Sequence, residues 1–252
     1  LVDKNYRTHD YKVISGASAG GVFALYALQT NPELFQAYIA YSPAVWWNYG
    51  ASVKSTKSFI TKTKELNSYV YINIGEEAGI MRERYDELLQ AMQLPKVRGL
   101  RFFNDAFAGI SHNLTSAAGA FNAYHNLFLP KQMPISALSN DVASIDIYYQ
   151  NLSQQWGEQI SPPDRAVRSL GYNLTGSKQF IRAIEVFKYN IKNHPKSVDA
   201  LSALSYGYEI QGDTRQALEQ MESALAIADD SYPYINYLKE TKARLQAELS
   251  KN

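Results

Sequence analysis

The sequence predicts an α/β fold built on a parallel sheet over residues 1–130, followed by an all-α domain over residues 165–252. Three observations predict it. Apolar strand-like runs alternate with helical patterns up to about residue 130, which implies a parallel sheet with helices on its faces. The β signal disappears from residue 139 onward. Residues 165–250 are helical with a 34-residue repetition: Leu170 and Leu204 are 34 apart, and so are Ala183 and Ala217.

Taken in order, residues 1–10 are polar and read as the end of a helix and a loop. Leu1 is not an initiator methionine, and any leader is expected to lie upstream of it. Tyr11-Lys12-Val13-Ile14-Ser15 reads as a strand over Lys12–Ser15, and the apolar Gly21–Gln29 as a helix. Further strands are expected at Ala37–Tyr41, Tyr69–Ile74 and Gly99–Phe103, and helices at Ser52–Leu66, Met81–Met92 and Thr115–Phe128. Pro130 and Pro134 open a linker over 131–164 that contains a helix, Ala143–Gln155, ending before Gly157 and Pro162-Pro163. The first repeat carries Gly171, Ala183, Phe187 and Pro195 at tetratricopeptide spacing, and the second carries Tyr208, Gly212, Ala217 and Ala224. A last helix covers Tyr234–Leu249. Small residues belong where two helices of a unit cross closely, and large ones fill the space between units.

Composition narrows the function classes. The chain has 252 residues, 46% of them hydrophobic and 19% charged, which is ordinary for a globular protein. A net charge of +1 gives no reason to expect a nucleic-acid partner. The absence of cysteine removes disulfides, thiolate catalysis and cysteine–zinc sites. Four histidines without ligand spacing argue against a metal site, no cofactor is implied, and no apolar run is long enough for a membrane span.

Gly16-Ala17-Ser18-Ala19-Gly20 is a G-x-S-x-G motif between a strand and a helix. That context makes the sharp turn that lifts a serine hydroxyl out of a sheet, with the glycines permitting strain and close packing. The following helix start offers N–H groups to a developing oxyanion, that of Ala19 first.

A serine nucleophile needs a base, and the base an orienting acid. His112, in Gly109-Ile110-Ser111-His112-Asn113, lies on a loop after the strand Gly99–Phe103. His9 precedes the motif, His125 lies within a helix and His194 in the repeats, so each fits less well. Gly75-Glu76-Glu77-Ala78-Gly79 follows the strand Tyr69–Ile74, and either glutamate could be the acid. Asp105 is a weaker candidate, and Asp86 reads as a surface charge on a helix. Trp46 and Trp47, just past the strand Ala37–Tyr41, sit at the rim where substrates bind in open α/β sheets, and one is expected to form a substrate wall while the other packs as core.

The ordered set Asp3-Lys4-Asn5-Tyr6-Arg7-Thr8, Gly16-Ala17-Ser18-Ala19-Gly20-Gly21, Pro32-Glu33-Leu34-Phe35, Ser42-Pro43 and Trp46-Trp47 resembles bacterial serine esterases of the esterase D type, a group with siderophore esterases, feruloyl esterases and S-formylglutathione hydrolases. The resemblance covers about residues 1–130, and some members carry a tetratricopeptide-like tail. It implies an α/β-hydrolase fold, of which this chain is the C-terminal portion, and hydrolysis of small-molecule carboxylic esters through an acyl-enzyme. By position it implies Ser18 as nucleophile, His112 as base, Glu77 as acid with Glu76 second, and the Ala19 N–H as one oxyanion donor.

The segment Ala106–Ser111 lacks the acidic residue often found before the family's histidine. The strands and second oxyanion donor that the family places before the motif are also missing. The chain is therefore expected to be part of a longer protein and a weak enzyme by itself. Its Lys12–Ser15 strand is expected to form an open sheet edge, paired by a missing N-terminal half or by a second copy. An acyltransferase would use the same groups. The alternative from a different class is a catalytically inactive scaffold whose helical repeats bind a protein partner.

Overall fold

The computed structural model describes residues 2–93 and 96–251. Leu1, on which the reading of the chain start rests, lies outside them. The chain divides into two compact units, one of Leu1–Pro130 with Leu152–Gln159, the other of Lys131–Asn151 with Ile160–Asn252.

The first unit is a layered α/β arrangement. A short α1 (Val2–Asn5) leads to β1 (Val13–Ala17), α2 (Ala19–Thr30), β2 (Ala37–Tyr41), α3 (Trp47–Lys62), β3 (Tyr69–Ile74), α4 (Ile80–Gln93), β4 (Arg101–Ala106) and α5 (Thr115–Phe128). The strands form one parallel sheet in the order β1-β2-β3-β4. Every residue of β2 and β3 is buried, as largely apolar runs in the middle of a parallel sheet must be, with Asn73 of β3 the polar exception. On one face, Leu25 and Leu28 of α2, Ile60 of α3 and Tyr85 and Leu88 of α4 pack with Tyr38, Val70 and Ile72. On the other, Ala123 and Leu127 of α5 cover Ile39, Tyr69 and Tyr71.

Two features of this sheet position the site. The register pairs Ala17 with Tyr41, Tyr41 with Asn73 and Asn73 with Asp105, so the carboxyl ends of all four strands lie in one row. And β1 is an edge strand: among the described residues nothing pairs with its other side. Beside it, Phe23 and Tyr26 of α2 are 60% and 57% exposed.

Element bounds depart from expectation where backbone conformation intervenes. The first strand runs on to Ala17, the residue before Ser18. The fourth begins at Arg101 rather than Gly99, because Gly99 has φ +83 and cannot lie in a strand. The third helix starts early, at Trp47, with Asn48, Tyr49 and Gly50 in left-handed conformations (φ 49, 54 and 73) before it becomes regular.

In the second unit, α6 (Ala143–Trp156), whose last residues belong to the first unit, precedes α7 (Asp164–Gly176), α8 (Phe180–Asn193), α9 (Val198–Gln211), α10 (Thr214–Ile227) and α11 (Ile235–Leu249). The pairs Leu170/Leu204 and Ala183/Ala217 are all buried. Gly171 lies where α7 meets α8, and a Cβ there would stand 2.2 Å from the Phe187 ring. Helix starts are capped by side chains: Ser197 Oγ accepts from the Ala200 N–H and Asp213 Oδ1 from the Gln216 N–H, each at 3.1 Å. Among the described residues no helix is long and apolar enough to cross a membrane.

Candidate active site

Ser18 stands between the end of β1 and the start of α2 with φ 54 and ψ −115, a conformation that costs a non-glycine residue on the order of 1–3 kcal/mol. The surroundings hold it there. Its N–H donates to the Tyr41 carbonyl (2.9 Å), and its own carbonyl accepts from Val22 (3.1 Å) and Ala44 (3.1 Å). A Cβ on Gly16 would lie 2.3 Å from the Gly20 carbonyl carbon, and one on Gly21 would lie 3.0 Å from Pro43 Cβ. The motif's glycines are therefore not equivalent: Gly20 has open space where its own side chain would go, and Gly16 is glycine because the Gly20 backbone crosses it. Ser18 is half-buried, and among the described residues its hydroxyl has no hydrogen-bond partner. Ala19, exposed, is the first residue of α2, where N–H groups have no acceptor within the helix.

His112 and Glu77 come together from loops after β4 and β3. The Glu76 N–H donates to the Ile110 carbonyl (2.8 Å), which ties the two loops. A Cβ on Gly75 would lie 2.2 Å from that same carbonyl, so only glycine allows the approach. His112 then opens a short 3-10 turn before α5, and its Nδ1 lies 2.8 Å from Glu77 Oε1. Ser42 Oγ donates to the same oxygen at 2.6 Å. The Glu77 side chain is 10% exposed and the His112 side chain 36%. Burial opposes ionisation of Glu77, but hydrogen bonds from Ser42 and His112, with the Glu77 and Gly75 amides close by, hold its carboxyl below the ordinary value. Neither amide completes a hydrogen bond by geometry, and Glu77 Oε2 is buried without a partner.

The other candidates lie elsewhere. Glu76 is exposed. Asp105, on β4, has Oδ2 occupied by Tyr71 (2.6 Å) and Asn122 (3.0 Å). Asp86 pairs with Arg82 one turn away on α4. His9 meets Glu158, His125 stacks on Phe121, and His194 Nε2 meets the Pro162 carbonyl.

Trp46 and Trp47 are both exposed, at 44% and 63%, which corrects the expectation that one would be core. Val45, fully buried, fills the core position under this loop, and the left-handed turn that follows presents the aromatic residues outward. It also presents Tyr49, 87% exposed, which sequence reasoning passed over. The available signal was Asn-Tyr-Gly ahead of a helix, a composition suited to left-handed backbone. Ser42 was passed over as a site residue too, because Ser-Pro after a strand reads as a turn. Among the described residues, no three histidine or acidic side chains gather in a way that could hold a metal ion.

Comparison with known proteins finds sequence matches to this half of the chain and structural matches that extend beyond it. The model of a family described as "Putative esterase" matches residues 1–123. The chain is 34% identical over 119 residues to the ferri-bacillibactin esterase BesA of Bacillus subtilis, a match that covers 44% of this chain and 39% of that relative. Among solved structures, an IroE-like serine hydrolase of Shewanella oneidensis superposes with a TM-score of 0.56 at 20% identity, over 75% of this chain and 61% of the other. An uncharacterised protein of Capnocytophaga ochracea superposes with a TM-score of 0.59 at 17% identity, over 97% of this chain and 71% of the other. The two superpositions establish a shared fold. The match to the curated relative spans about two fifths of that protein's length.

Proposed function

We propose that the first unit carries the nucleophile, base and acid of a serine ester hydrolase. One observation carries the reading: a serine held in strained backbone at a strand–helix turn, at the same end of the sheet as a histidine whose Nδ1 is 2.8 Å from a largely buried carboxylate. The family match over residues 1–123 and the curated esterase relative support ester hydrolysis independently of that geometry.

In this mechanism Ser18 Oγ attacks the ester carbonyl carbon while neutral His112 takes the hydroxyl proton on Nε2. Glu77 holds Nδ1–H and stabilises the imidazolium that forms. The Ala19 N–H donates to the oxyanion. His112 returns the proton to the departing alcohol, and water, deprotonated by the same ring, hydrolyses the acyl-serine to release the acid. Trp46 and Trp47 form an aromatic wall for the substrate. The ferri-bacillibactin activity of the Bacillus relative supports a siderophore ester as the substrate class.

Residues 1–130 are then the esterase part, 131–164 a linker and 165–252 a tetratricopeptide-like stack. The buried 34-residue pairs Leu170/Leu204 and Ala183/Ala217 support the stack. The open edge of β1, with Phe23 and Tyr26 beside it, supports a further strand or a second copy at that edge.

Labelling with a fluorophosphonate, together with 4-nitrophenyl acetate and butyrate hydrolysis, tests the assignment. The expected result is label on Ser18 and hydrolysis that disappears in Ser18→Ala. No label and no serine-dependent hydrolysis in the longer protein that supplies the missing strands overturns it and favours a scaffold whose helical repeats bind a partner.

A further inference from the structure

Ser42 has three properties that are seldom found together. It is fully buried, its backbone is left-handed (φ 37) without being glycine, and its hydroxyl donates to a carboxylate. Its N–H is held by Asn73 twice, by the main-chain carbonyl and by Oδ1, each at 3.0 Å. Asn73, also fully buried, spends its Nδ2 on the Thr115 carbonyl (2.8 Å), and Thr115 Oγ1 donates to the His112 carbonyl (2.8 Å). The Asn73 amide fits only because residue 119 is glycine, where a Cβ would stand 2.1 Å from Nδ2. One continuous frame thus runs from the end of β2, through the end of β3, to the loop that carries His112.

The segment Tyr41–Ala44 faces the nucleophile as well. Tyr41 O and the Ala44 N–H both bond the Ser18 backbone, while Ser42 between them bonds Glu77. Four residues therefore set the spacing between the serine turn and the acid–base pair. Glu77 Oε1 receives two donors and Oε2 none. With His112 as its only donor the carboxylate could rotate about its last bond. Ser42 removes that freedom and aims one lone pair of Oε1 at Nδ1.

We propose that Ser42 is a positioning residue of the hydrolase: its hydroxyl fixes Glu77 Oε1 against His112 Nδ1, which holds the ring protonated on Nδ1 and keeps Nε2 free to take the Ser18 proton. The inference rests on the triad reading above. Left-handed strain at a buried serine persists only where the surroundings over-determine it, and here they do so through Asn73.

Ser42→Gly removes the hydroxyl and relieves the strain, so it folds where Ser42→Ala is at risk. It is expected to lower kcat about tenfold with KM unchanged, the size of a lost hydrogen bond to a charged acceptor. In a Glu77→Ala background the same substitution is expected to change kcat by less than about twofold, because the group it acts through is gone. An equal loss in both backgrounds, or no loss in either, overturns the proposal. Nitrogen-15 spectra of the His112 ring give a readout that does not depend on activity. A single Nδ1-protonated neutral tautomer is expected in the unmodified chain, and a mixture in Ser42→Gly. If the longer protein that supplies the missing strands shows no Ser18-dependent hydrolysis, the triad reading falls and the spectra alone decide the positioning: unchanged ring signals in Ser42→Gly overturn it.

Discussion

Each unit holds one largely buried carboxylate that accepts a serine hydroxyl, and the two are built to different ends. Asp164, at the start of α7, has both oxygens in use: Oδ1 takes Arg168 Nε (2.9 Å) and Asn190 Nδ2 (2.6 Å), and Oδ2 takes Ser197 Oγ (2.7 Å). Its donors come from α7, α8 and the cap of α9, so the group joins three helices. Glu77 concentrates its donors on one oxygen and leaves the other buried and bare. Both carboxyls lie below their ordinary values, against the opposing effect of burial. A depressed titration therefore does not distinguish a structural carboxylate from an orienting one. What distinguishes them is the donor: the guanidinium of Arg168 is itself shared with Asp199, whereas His112 keeps a second ring nitrogen without a partner among the described residues.

The largest expected effect isolates the unit with chemistry. Ser18→Ala should reduce ester hydrolysis by about 10⁴-fold or more, while circular dichroism and the thermal midpoint stay near those of the unmodified chain. Residual activity within tenfold would place the nucleophile elsewhere.

Next comes the pair of carboxylates. Glu77→Gln should lower kcat by roughly 10²–10⁴-fold, since an amide cannot stabilise the imidazolium, and should leave the helical unit's stability unchanged. Asp164→Asn should leave kcat alone and cost about 1–3 kcal/mol in denaturant unfolding, because an amide cannot serve three donors. The pH dependence separates them from neutral substitutions. Each carboxyl has a folded value below its ordinary one, 4.5 for Glu77 and 3.8 for Asp164. The stability each contributes is thus complete above that ordinary value and is lost as pH falls through the lower folded value. The gap between unmodified chain and Asp164→Asn should accordingly close in acid. A gap that widens there would show the group protonated in the folded state.

The contrast was only partly legible in the sequence. The strands Ala37–Tyr41 and Tyr69–Ile74 appear at their expected bounds because short, largely apolar, aromatic and β-branched runs read as strands inside a parallel sheet. The Gly-x-Ser-x-Gly turn was visible because strand, glycines and helix agree locally. Residue pattern alone leaves the adjacent glutamates open, and the family resemblance ranks Glu77 first with Glu76 second; which side chain turns inward depends on loop contacts such as the Glu76 amide's bond to Ile110. Ser42 was visible only as part of the Ser42-Pro43 motif and Asn73 not at all, because their roles depend on partners 31 to 42 residues away. The left-handed Asn48–Gly50 turn was hidden behind a helical pattern that begins just after it.

Crowded glycines sharpen the comparison at the next level down. Gly119→Ala would press on Asn73 Nδ2 and Gly171→Ala on the Phe187 ring, with ideal Cβ distances of 2.1 and 2.2 Å. Both should destabilise by about 1–3 kcal/mol, as overpacking does. Only the first should also lower kcat, because it distorts the frame that joins Ser42 to the His112 loop. Equal kcat in the two variants would mean that the frame is structural alone.

The smallest effect compares two strained residues. Ser18 (φ 54, ψ −115) and Lys178 (φ 59) are both non-glycine residues with positive φ. Lys178 follows the end of α7, where its N–H donates to the Thr175 carbonyl (2.9 Å) and the Gln179 N–H to the Leu174 carbonyl (2.9 Å), a helix-ending turn that favours glycine. Lys178→Gly should raise stability by about 1 kcal/mol, read as a rise of a few degrees in the thermal midpoint, with hydrolysis unchanged. Ser18→Gly relieves comparable strain, so it should raise the midpoint by a similar amount while abolishing hydrolysis. The strain at Lys178 is incidental to a helix end. That at Ser18 is what holds a hydroxyl at the head of the sheet, and a gain in stability there that comes only with loss of activity is the signature of strain kept for function. A Ser18→Gly variant that is both less stable and inactive would mean that the turn depends on the serine side chain for its fold, and the two residues would then differ in kind.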